Sequence, residues 1–448
     1  MKKIIKSLLL LLIIFLGCSS LLHAQNVESY TLQQLQDSAL RNNHVLAIKK
    51  WQIKEKEAKV KEDEIKRYPV PIMNGNYQRI FNLGAITIPK GTIGEFPLSP
   101  TNNVLLPNTD ESFNVGKHNN YSAGLSVYQP ITQQAKIKTL LKVDVADKES
   151  TEKERFKMSL QIKQAIVKLY YGTLISQKQL DEAEAKLALA QSKYTDVENA
   201  LSAGKTINAD KAGLQADIAD EEQNILKINI QIQDYIGDLI NVTGIDAGSL
   251  KLAEIEPVVQ QINELEEYKK EAGNSNADLQ IANLNKTKAV LGIKAARQSN
   301  IPDIGLVGGY SYVFGDAILP ANNPFLGVVL KWNIQDIFSN KKIVKQRQFQ
   351  LKESEENILN TQLTVNNDIE KTYRKINQSQ ALIAVAQKVV FYQKEELKLQ
   401  ENKQAAGLNV KTDLLNTKSL LAKSEADMYA AQLSYLMAVS DLKILTGQ

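Results

Sequence analysis

Few side chains of this sequence could take part in catalysis or bind a metal ion. The 448-residue chain contains one cysteine, Cys18, and three histidines, His23, His44 and His118. A Ser-His or zinc site would have to be built around His44 or His118, and the sequence has no phosphate-binding Gly-Lys loop of the P-loop kind. The many Asp and Glu residues lie in helical segments, where i,i+4 surface pairing explains them. We therefore expect no enzyme, no cofactor and no bound metal.

Two carboxylates stand out because their surroundings occur twice. Asp210 and Asp413 are 203 residues apart, and each follows a glycine, Gly204 or Gly407, at the same distance. The glycines predict helix C-caps at which the chain reverses between antiparallel helices. The aspartates would begin the next helices, where the positive end of the helix dipole favours a negative charge. Helix capping alone accounts for all four residues.

The spacing of 203 is part of a wider internal repeat. It also matches Gly124 with Gly327, whereas upstream an offset of 233 matches Pro69 with Pro302. A single length change between the two regions reconciles the offsets, which predicts a duplicated scaffold. The predicted divisions are a signal peptide, residues 1–24, a first repeat, 25–244, a linker, 245–264, and a second repeat, 265–448.

The repeats contain long helical segments with coiled-coil spacing. A first helix is predicted over 31–66, with Thr31 as its N-cap. Residues 132–201 contain no proline and one glycine, which predicts a nearly continuous helix of roughly 100 Å. Apolar residues at alternating spacings of three and four include Leu180, Ala183, Leu187, Ala190, Tyr194, Ile225, Ile228, Ile232, Tyr235, Leu239, Tyr435, Ala438 and Leu442. This period indicates helices in coiled-coil contact, and a plain structural coiled coil would also produce it.

Between the helices, the apolar period changes to two. Strands are predicted at about 69–82, 120–130, 302–314 and 324–333, each near the length of a tilted membrane-spanning strand. Tyr128, Tyr310, Tyr312 and Trp332 are candidates for an aromatic girdle at the membrane surface. Two soluble hairpins covering the helix ends would show the same pattern. The long, proline-containing connection 82–119 would be either surface decoration or a partial lid.

The N-terminus and the charge balance limit the location of the protein. Residues 1–24 combine lysines, an apolar run over 8–16 and a cleavage site at Ala24, which predicts export. Cys18 offers the alternative of a lipoprotein, although Phe15 fits a lipobox poorly. Without the leader, 51 basic and 50 acidic residues remain, which argues against nucleic-acid binding. No second apolar run approaches the roughly 20 residues of a membrane helix, so only a barrel could span a membrane.

The order helix, strand, strand, long helix, helix, given twice, resembles the outer-membrane efflux protein family, the TolC-type channels. The final hairpin carries the best local match, from Ala406-Gly407 through Asp413-Leu414-Leu415-Asn416 to Thr446-Gly447. The first repeat has Ala203-Gly204, Asp210 and Thr243-Gly244 at the corresponding positions. The resemblance covers essentially the whole mature chain, through order, spacing and duplication rather than one strong motif.

The resemblance implies an α+β membrane protein that assembles as a homotrimer. Three copies would form a 12-stranded transmembrane β-barrel, continued by a long periplasmic α-helical coiled-coil tunnel. Four strands per chain are too few for a closed barrel, which independently favours several copies. The implied function is an outer-membrane exit channel of a tripartite efflux or type I secretion system. Its partners would be outer-membrane lipid, a periplasmic adaptor (membrane fusion protein) and an inner-membrane pump.

The resemblance also implies roles for the helix tips. Asp210, Asp413 and Asn416 would narrow the closed pore, and like charges around one axis would attract cations. Asn416 and Asn409 stand where the family often has an acid and a basic partner, so a weaker or different ion network is expected. Gly204 and Gly407 would lie at turns that contact the adaptor.

The alternative is a periplasmic adaptor or coiled-coil scaffold of a secretion apparatus. Adaptors have one helical hairpin flanked by β-rich half-domains. This sequence instead has two matched units with strands of membrane-spanning length, which favours the channel.

Overall fold

The protein is described here from a computed structural model. The described residues are 29–100, 102–204, 208–245, 250–253, 262–316, 318–408 and 411–448, without the side chains of residues 208–210. The predicted signal peptide, with Cys18, lies outside the described residues, as do Asn409 and most of the predicted linker 245–264.

Long helices and one antiparallel sheet make up most of the described chain. The strands are β1 Ser29–Tyr30, β2 Val70–Arg79, β3 Ala85–Ile88, β4 Gly94–Ser99, β5 Asn102–Leu106, β6 Glu111–Asn114, β7 Asn119–Pro130, β8 Lys251–Leu252, β9 Asp303–Phe314 and β10 Asn322–Lys331. The helices are α1 Leu32–Asn42, α2 His44–Ile65, α3 Gln134–Ser202, α4 Asn208–Thr243, α5 Leu265–Ser275, α6 Ala277–Gln298, α7 Ile334–Ala405 and α8 Lys411–Thr446.

The ends of the long helices lie at glycines, as the sequence predicts. α3 and α7 end just before Gly204 and Gly407, whose φ angles are 70° and 80°. α4 and α8 end just before Gly244 and Gly447, whose φ angles are 65° and 72°. L-residues rarely adopt this left-handed conformation, and glycine adopts it freely. The four helix ends therefore follow the 203-residue offset of the sequence.

The N-terminal helical region differs from the prediction in one respect. Thr31 caps α1 through a capping box with Gln34, which confirms the predicted start. The single helix predicted over 31–66 is wrong, because Asn43 is extended, with φ −66° and ψ 123°. The Asn43 side chain accepts a hydrogen bond from the backbone N–H of Val45 at 2.9 Å. Asn43 thus ends α1 and caps α2, which is a role that asparagine performs well.

The chain forms two compact units, and each combines segments from both halves of the sequence. Of the described residues, the first unit comprises those within 29–50, 154–279 and 362–448, and the second comprises those within 51–153 and 280–361. The units are therefore not the two sequence repeats, whose boundaries stay a prediction.

The first unit has two apolar cores between its helices. One contains Ile166, Tyr170, Tyr171 and Leu239, and the other contains Ile369, Ile376 and Tyr435. β1 pairs in parallel with β8, and the Tyr170 hydroxyl donates to the carbonyl oxygens of Tyr30 and Ala253 beside this pair. The predicted linker therefore contributes a short strand to this unit.

The second unit contains a four-stranded antiparallel sheet of order β10-β9-β7-β2. The connection between β2 and β7 contains two further strand pairs, β3 with β6 and β4 with β5. This connection is therefore a folded β-ribbon, whereas the sequence predicted only a long loop. Among the described residues, no helix has both the length and the apolar character needed to cross a membrane.

Candidate functional site: an amphipathic sheet and two helical tips

The four-stranded sheet has one continuous apolar face. The pairing places Leu125 opposite Met73 and Tyr310, and Leu306 opposite Val328. Twelve large side chains on this face are exposed: Met73, Tyr77, Tyr121, Leu125, Val127, Leu306, Tyr310, Tyr312, Phe314, Leu326, Val328 and Leu330. Side chains alternate between faces along a strand, so the other face is mixed: it carries Ser122, Ser126 and Ser311 together with the exposed side chains of Val70, Ile72, Phe325 and Val329. An exposed apolar surface of this extent indicates contact with lipid or protein.

Aromatic residues cluster at one end of this face. The Tyr77 and Tyr121 rings are 5.0 Å apart, and the Tyr121 and Phe314 rings are 6.0 Å apart. Lys117 lies 4.2 Å above the Phe314 ring. Aromatic rings beside a cation suit the boundary between lipid and water. Tyr128 lies on the opposite face of the sheet from Tyr310 and Tyr312, where its ring covers Gly305, and its place in an aromatic girdle stays a prediction.

Both outer strands of the sheet have one unpaired edge within the described part of the chain. β2 pairs only with β7, and β10 pairs only with β9. Unpaired edges are templates for another strand, and a barrel removes them by closure. Four strands cannot close a barrel alone, since the smallest transmembrane barrels have about eight.

The turn at Gly407 is a complete helix-ending motif. The Leu408 N–H donates to the Lys403 carbonyl at 3.1 Å, and the Gly407 N–H donates to the Gln404 carbonyl at 3.0 Å. This is the Schellman pattern with Gly407 in the left-handed position. At the first tip, the Gly204 N–H donates to the Leu201 carbonyl at 2.9 Å. Among the described residues, no atom outside the adjoining residues lies within 4 Å of the position that a Cβ would take at either glycine, so their left-handed conformation is what favours glycine.

The predicted polar residues lie at the starts of the returning helices. Asp413 is in the first turn of α8, and Asn416 lies one turn further along. Both are exposed, so they form a small polar surface at the second tip. Asp210 is in the first turn of α4, and its side chain lies outside the described residues.

The first tip contains an ion pair that sequence analysis missed. Lys211 Nζ lies 2.8 Å from Glu198 Oε1 across the hairpin and 5.3 Å from the centre of the Tyr194 ring. The hydrogen bond to Glu198 raises the pKa of Lys211 above its ordinary value. At the offset of 203, Lys211 corresponds to Leu414, which is buried. A polar contact therefore closes the first tip, and an apolar side chain packs in the second.

A carboxyl pair between α2 and α3 was also missed. Lys66 and Lys59 both contact Asp63, and these contacts hold the pKa of Asp63 low. Burial and the neighbouring Asp63 carboxylate raise the pKa of Asp144 to about 6. The pair lies 81 positions apart in sequence, so no local pattern marks it. Asp144 Oδ2 is buried and has no hydrogen-bond partner among the described residues.

The two described histidines, His44 and His118, have structural positions. His44 begins α2, and His118 Nδ1 contacts the Ile80 carbonyl oxygen at 2.8 Å. Among the described residues, no group of three or more His, Cys, Asp or Glu side chains could hold a metal ion.

Comparison with known proteins finds a family match over part of the chain and a shared fold over most of it. Residues 269–448 match the family described as outer membrane efflux protein. No curated protein matches the chain.

Three solved structures show the fold over most of the chain. The Campylobacter jejuni CmeC outer membrane channel has a TM-score of 0.71 at 14% identity, covering 93% of this chain and 85% of that chain. A membrane protein from Pseudomonas aeruginosa has a TM-score of 0.70 at 16% identity, with coverage of 93% and 90%. The outer membrane protein VceC from Vibrio cholerae has a TM-score of 0.67 at 15% identity, with coverage of 93% and 96%.

The family is one of non-enzymatic outer-membrane efflux channels. Residues 269–448 of this chain match the outer membrane efflux protein family, and the chain shares its fold with these solved membrane proteins, the CmeC outer membrane channel among them.

Proposed function

We propose that this protein is an outer-membrane exit channel of a tripartite efflux or type I secretion system. It acts as a homotrimer with a large periplasmic extension and passively conducts substrate. A periplasmic adaptor opens it, and an inner-membrane pump supplies the energy. The amphipathic sheet with two unpaired edges is the observation that carries the proposal. Three such sheets supply twelve strands, with the apolar face toward lipid and the other face toward the pore.

Exposed apolar stripes on two helices support assembly from several copies. On α7, Leu382, Val385, Val389 and Tyr392 recur at spacings of three, four and three, and all are exposed. On α4, Leu226 and Ile230 are 65% and 60% exposed. Each helix already packs by another face, because Ile383 and Leu239 are buried. Each of these helices therefore has a second apolar stripe, and its coiled-coil spacing suits packing against another helix.

The internal repeat suggests how the copies meet. Within the chain, α3 contacts α8, and Gln164 donates to Asp441 between them. The residues at the corresponding positions of the other repeat are Asn367 on α7 and Asp238 on α4, and both are exposed. We infer that α7 of one copy packs on α4 of the next, with Asn367 facing Asp238. The amide–carboxylate contact would then recur around the trimer, within and between copies.

The tips supply the proposed gate and docking site. Asp210, Asp413 and Asn416 line the constriction at the periplasmic end. Gly204 and Gly407 form the turns that contact the adaptor. The exposed positions of Asp413 and Asn416 support this assignment, because neither side chain is used in the packing of α8.

Cysteine cross-linking between α4 and α7 tests the assembly. The only native cysteine is Cys18, in the predicted leader, so paired substitutions report cleanly. Oxidation of Asp238→Cys with Asn367→Cys, the two positions inferred to face each other, should produce covalent dimers and trimers in the outer-membrane fraction. Asp238→Cys with Asp368→Cys is the matched control, because Asp368 is the next residue and is exposed on another face of α7. Monomers only, in a soluble periplasmic fraction, would favour an adaptor or scaffold instead.

A further inference from the structure

The long connection between β2 and β7 has an apolar face that the chain itself does not cover. We call residues 80–119 the rim ribbon. In it, Ile86 lies opposite Phe113, and their side chains are 60% and 57% exposed. The other face is polar, since the hydroxyls of Thr87 and Ser112 lie 3.3 Å apart. A two-stranded ribbon is marginally stable alone, so an apolar face at its base indicates a packing partner.

A second exposed apolar feature lies at the same end of the sheet. The turn between β9 and β10 presents Ile318 and Leu319, which are 86% and 54% exposed. Asp316 orders this turn, because its Oδ1 accepts hydrogen bonds from the backbone N–H groups of Ile318 at 2.8 Å and Leu319 at 3.0 Å. These hydrogen bonds hold the backbone of Ile318 and Leu319 in place, although both side chains are exposed.

Strand direction brings the two features together between copies. β2 runs toward the rim ribbon, and β10 runs away from the β9–β10 turn. If β2 of one copy pairs with β10 of the next, the two strands are antiparallel. The turn of one copy then lies beside the segment that continues from β2 of its neighbour. That segment begins with Phe81, which is 78% exposed, and leads into β3 with Ile86.

Charged groups at the boundary of the apolar face argue against lipid as the covering partner. Arg79 lies 5.7 Å from the centre of the Phe81 ring, and Lys117 lies over Phe314. Both cations lie beside aromatic rings at the end of the sheet, and such groups are typical of the boundary between lipid and water. Ile86 and Phe113 lie beyond this boundary along the chain, so another protein surface suits them better than lipid does.

We propose that the Ile318–Leu319 turn of one copy packs against Phe81, Ile86 and Phe113 on the rim ribbon of the next copy. The contact repeats around the mouth of the channel and forms an apolar collar above the barrel. This inference rests on the proposed trimer. It assigns the rim ribbon to assembly between copies rather than to surface decoration.

Disulfide trapping at the rim tests the proposal. Oxidation of Ile318→Cys with Ile86→Cys should give covalent dimers and trimers. The pair Ile318→Cys with Thr87→Cys is the matched control, since Thr87 is the next residue and faces the other way; it should remain monomeric. Equal cross-linking of both pairs, or cross-linking only within one chain, would overturn the collar.

A lipid contact is distinguished by fluorescence. A bimane label at Ile86→Cys should be insensitive to brominated lipid in vesicles, and strong quenching would overturn the proposal in favour of lipid. The Asp238–Asn367 cysteine pair separates the two levels of inference. If it cross-links and the rim pair does not, only the collar fails. If neither pair cross-links, the trimer fails and the collar with it.

Discussion

Replacing Asp144 by asparagine should stabilise the folded protein above about pH 6, the value to which the pKa of this carboxyl is raised. A raised pKa means that the folded state holds this proton more tightly than the unfolded state does. Ionisation therefore costs stability progressively as pH rises from the ordinary aspartate range through 6. Asparagine resembles the protonated form, because it is neutral and can still donate a hydrogen bond to Asp63.

The size of the effect follows from the shift. A change from 3.8 to about 6 corresponds to about 3 kcal/mol at roughly 1.4 kcal/mol per unit. The Asp144 side chain is only half-buried, so solvent screening should reduce the gain to about 1–2 kcal/mol. Well below 3.8, the ordinary aspartate pKa, the carboxyl is protonated in both the folded and the unfolded state and the gain should vanish; at pH 4 only a small part of it should remain.

Thermal unfolding of the detergent-purified protein between pH 4 and pH 8 measures this difference. Asp147→Asn is the control on the same helix, because Asp147 pairs with Lys288 at 2.7 Å and its replacement should not stabilise at neutral pH. The reasoning is refuted if Asp144→Asn gives no gain at pH 8. It is equally refuted if the gain persists undiminished at pH 4.

Three further predictions concern the tips, the core and the pore. Gly407→Ala should lower the free energy of unfolding by about 1 kcal/mol, because alanine disfavours a positive φ. Gly213→Ala, within α4 where no described atom would contact the new Cβ, should raise it by a similar amount, and chemical denaturation measures both. Gln432→Leu should increase the free energy of unfolding by about 1–3 kcal/mol and so raise the unfolding midpoint, because this amide is 2% exposed and has no hydrogen-bond partner among the described residues. An unchanged or lower midpoint would show that the amide is hydrogen-bonded in the folded protein. Joint replacement of Asp210 and Asp413 by alanine should raise single-channel conductance in planar bilayers and weaken block by multivalent cations; unchanged values would exclude the carboxylate constriction while leaving the channel intact.

The elements with strong local signals were predictable from the sequence. The helix predicted over 132–201 is observed as Gln134–Ser202, and strands predicted near 120–130 and 302–314 are observed at Asn119–Pro130 and Asp303–Phe314. Proline, glycine and apolar spacing set these boundaries, and all act within a few residues. The break at Asn43 was missed because the apolar pattern continues across it, and only the side-chain cap reveals it.

Contacts between distant segments were not predictable from one sequence. Lys211–Glu198 depends on how the hairpin turns, and Asp63–Asp144 depends on how α2 packs against α3. The rim ribbon was not predicted because its prolines and short apolar runs indicate a loop. Its two faces exist only because β3 pairs with β6, more than 20 residues away in the sequence. The sequence did not separate Tyr128 from Tyr310 and Tyr312, because the faces on which they lie depend on the strand register.

Assembly and conductance of the protein extracted from the outer-membrane fraction test the central claim most directly. The channel account predicts a particle of about three times the 49.9 kDa chain mass, with small, discrete, cation-selective conductance steps in planar bilayers. A soluble periplasmic monomer or dimer that never conducts would contradict it. In that case the apolar sheet face would be a protein-binding surface, and the adaptor or scaffold function would replace the channel.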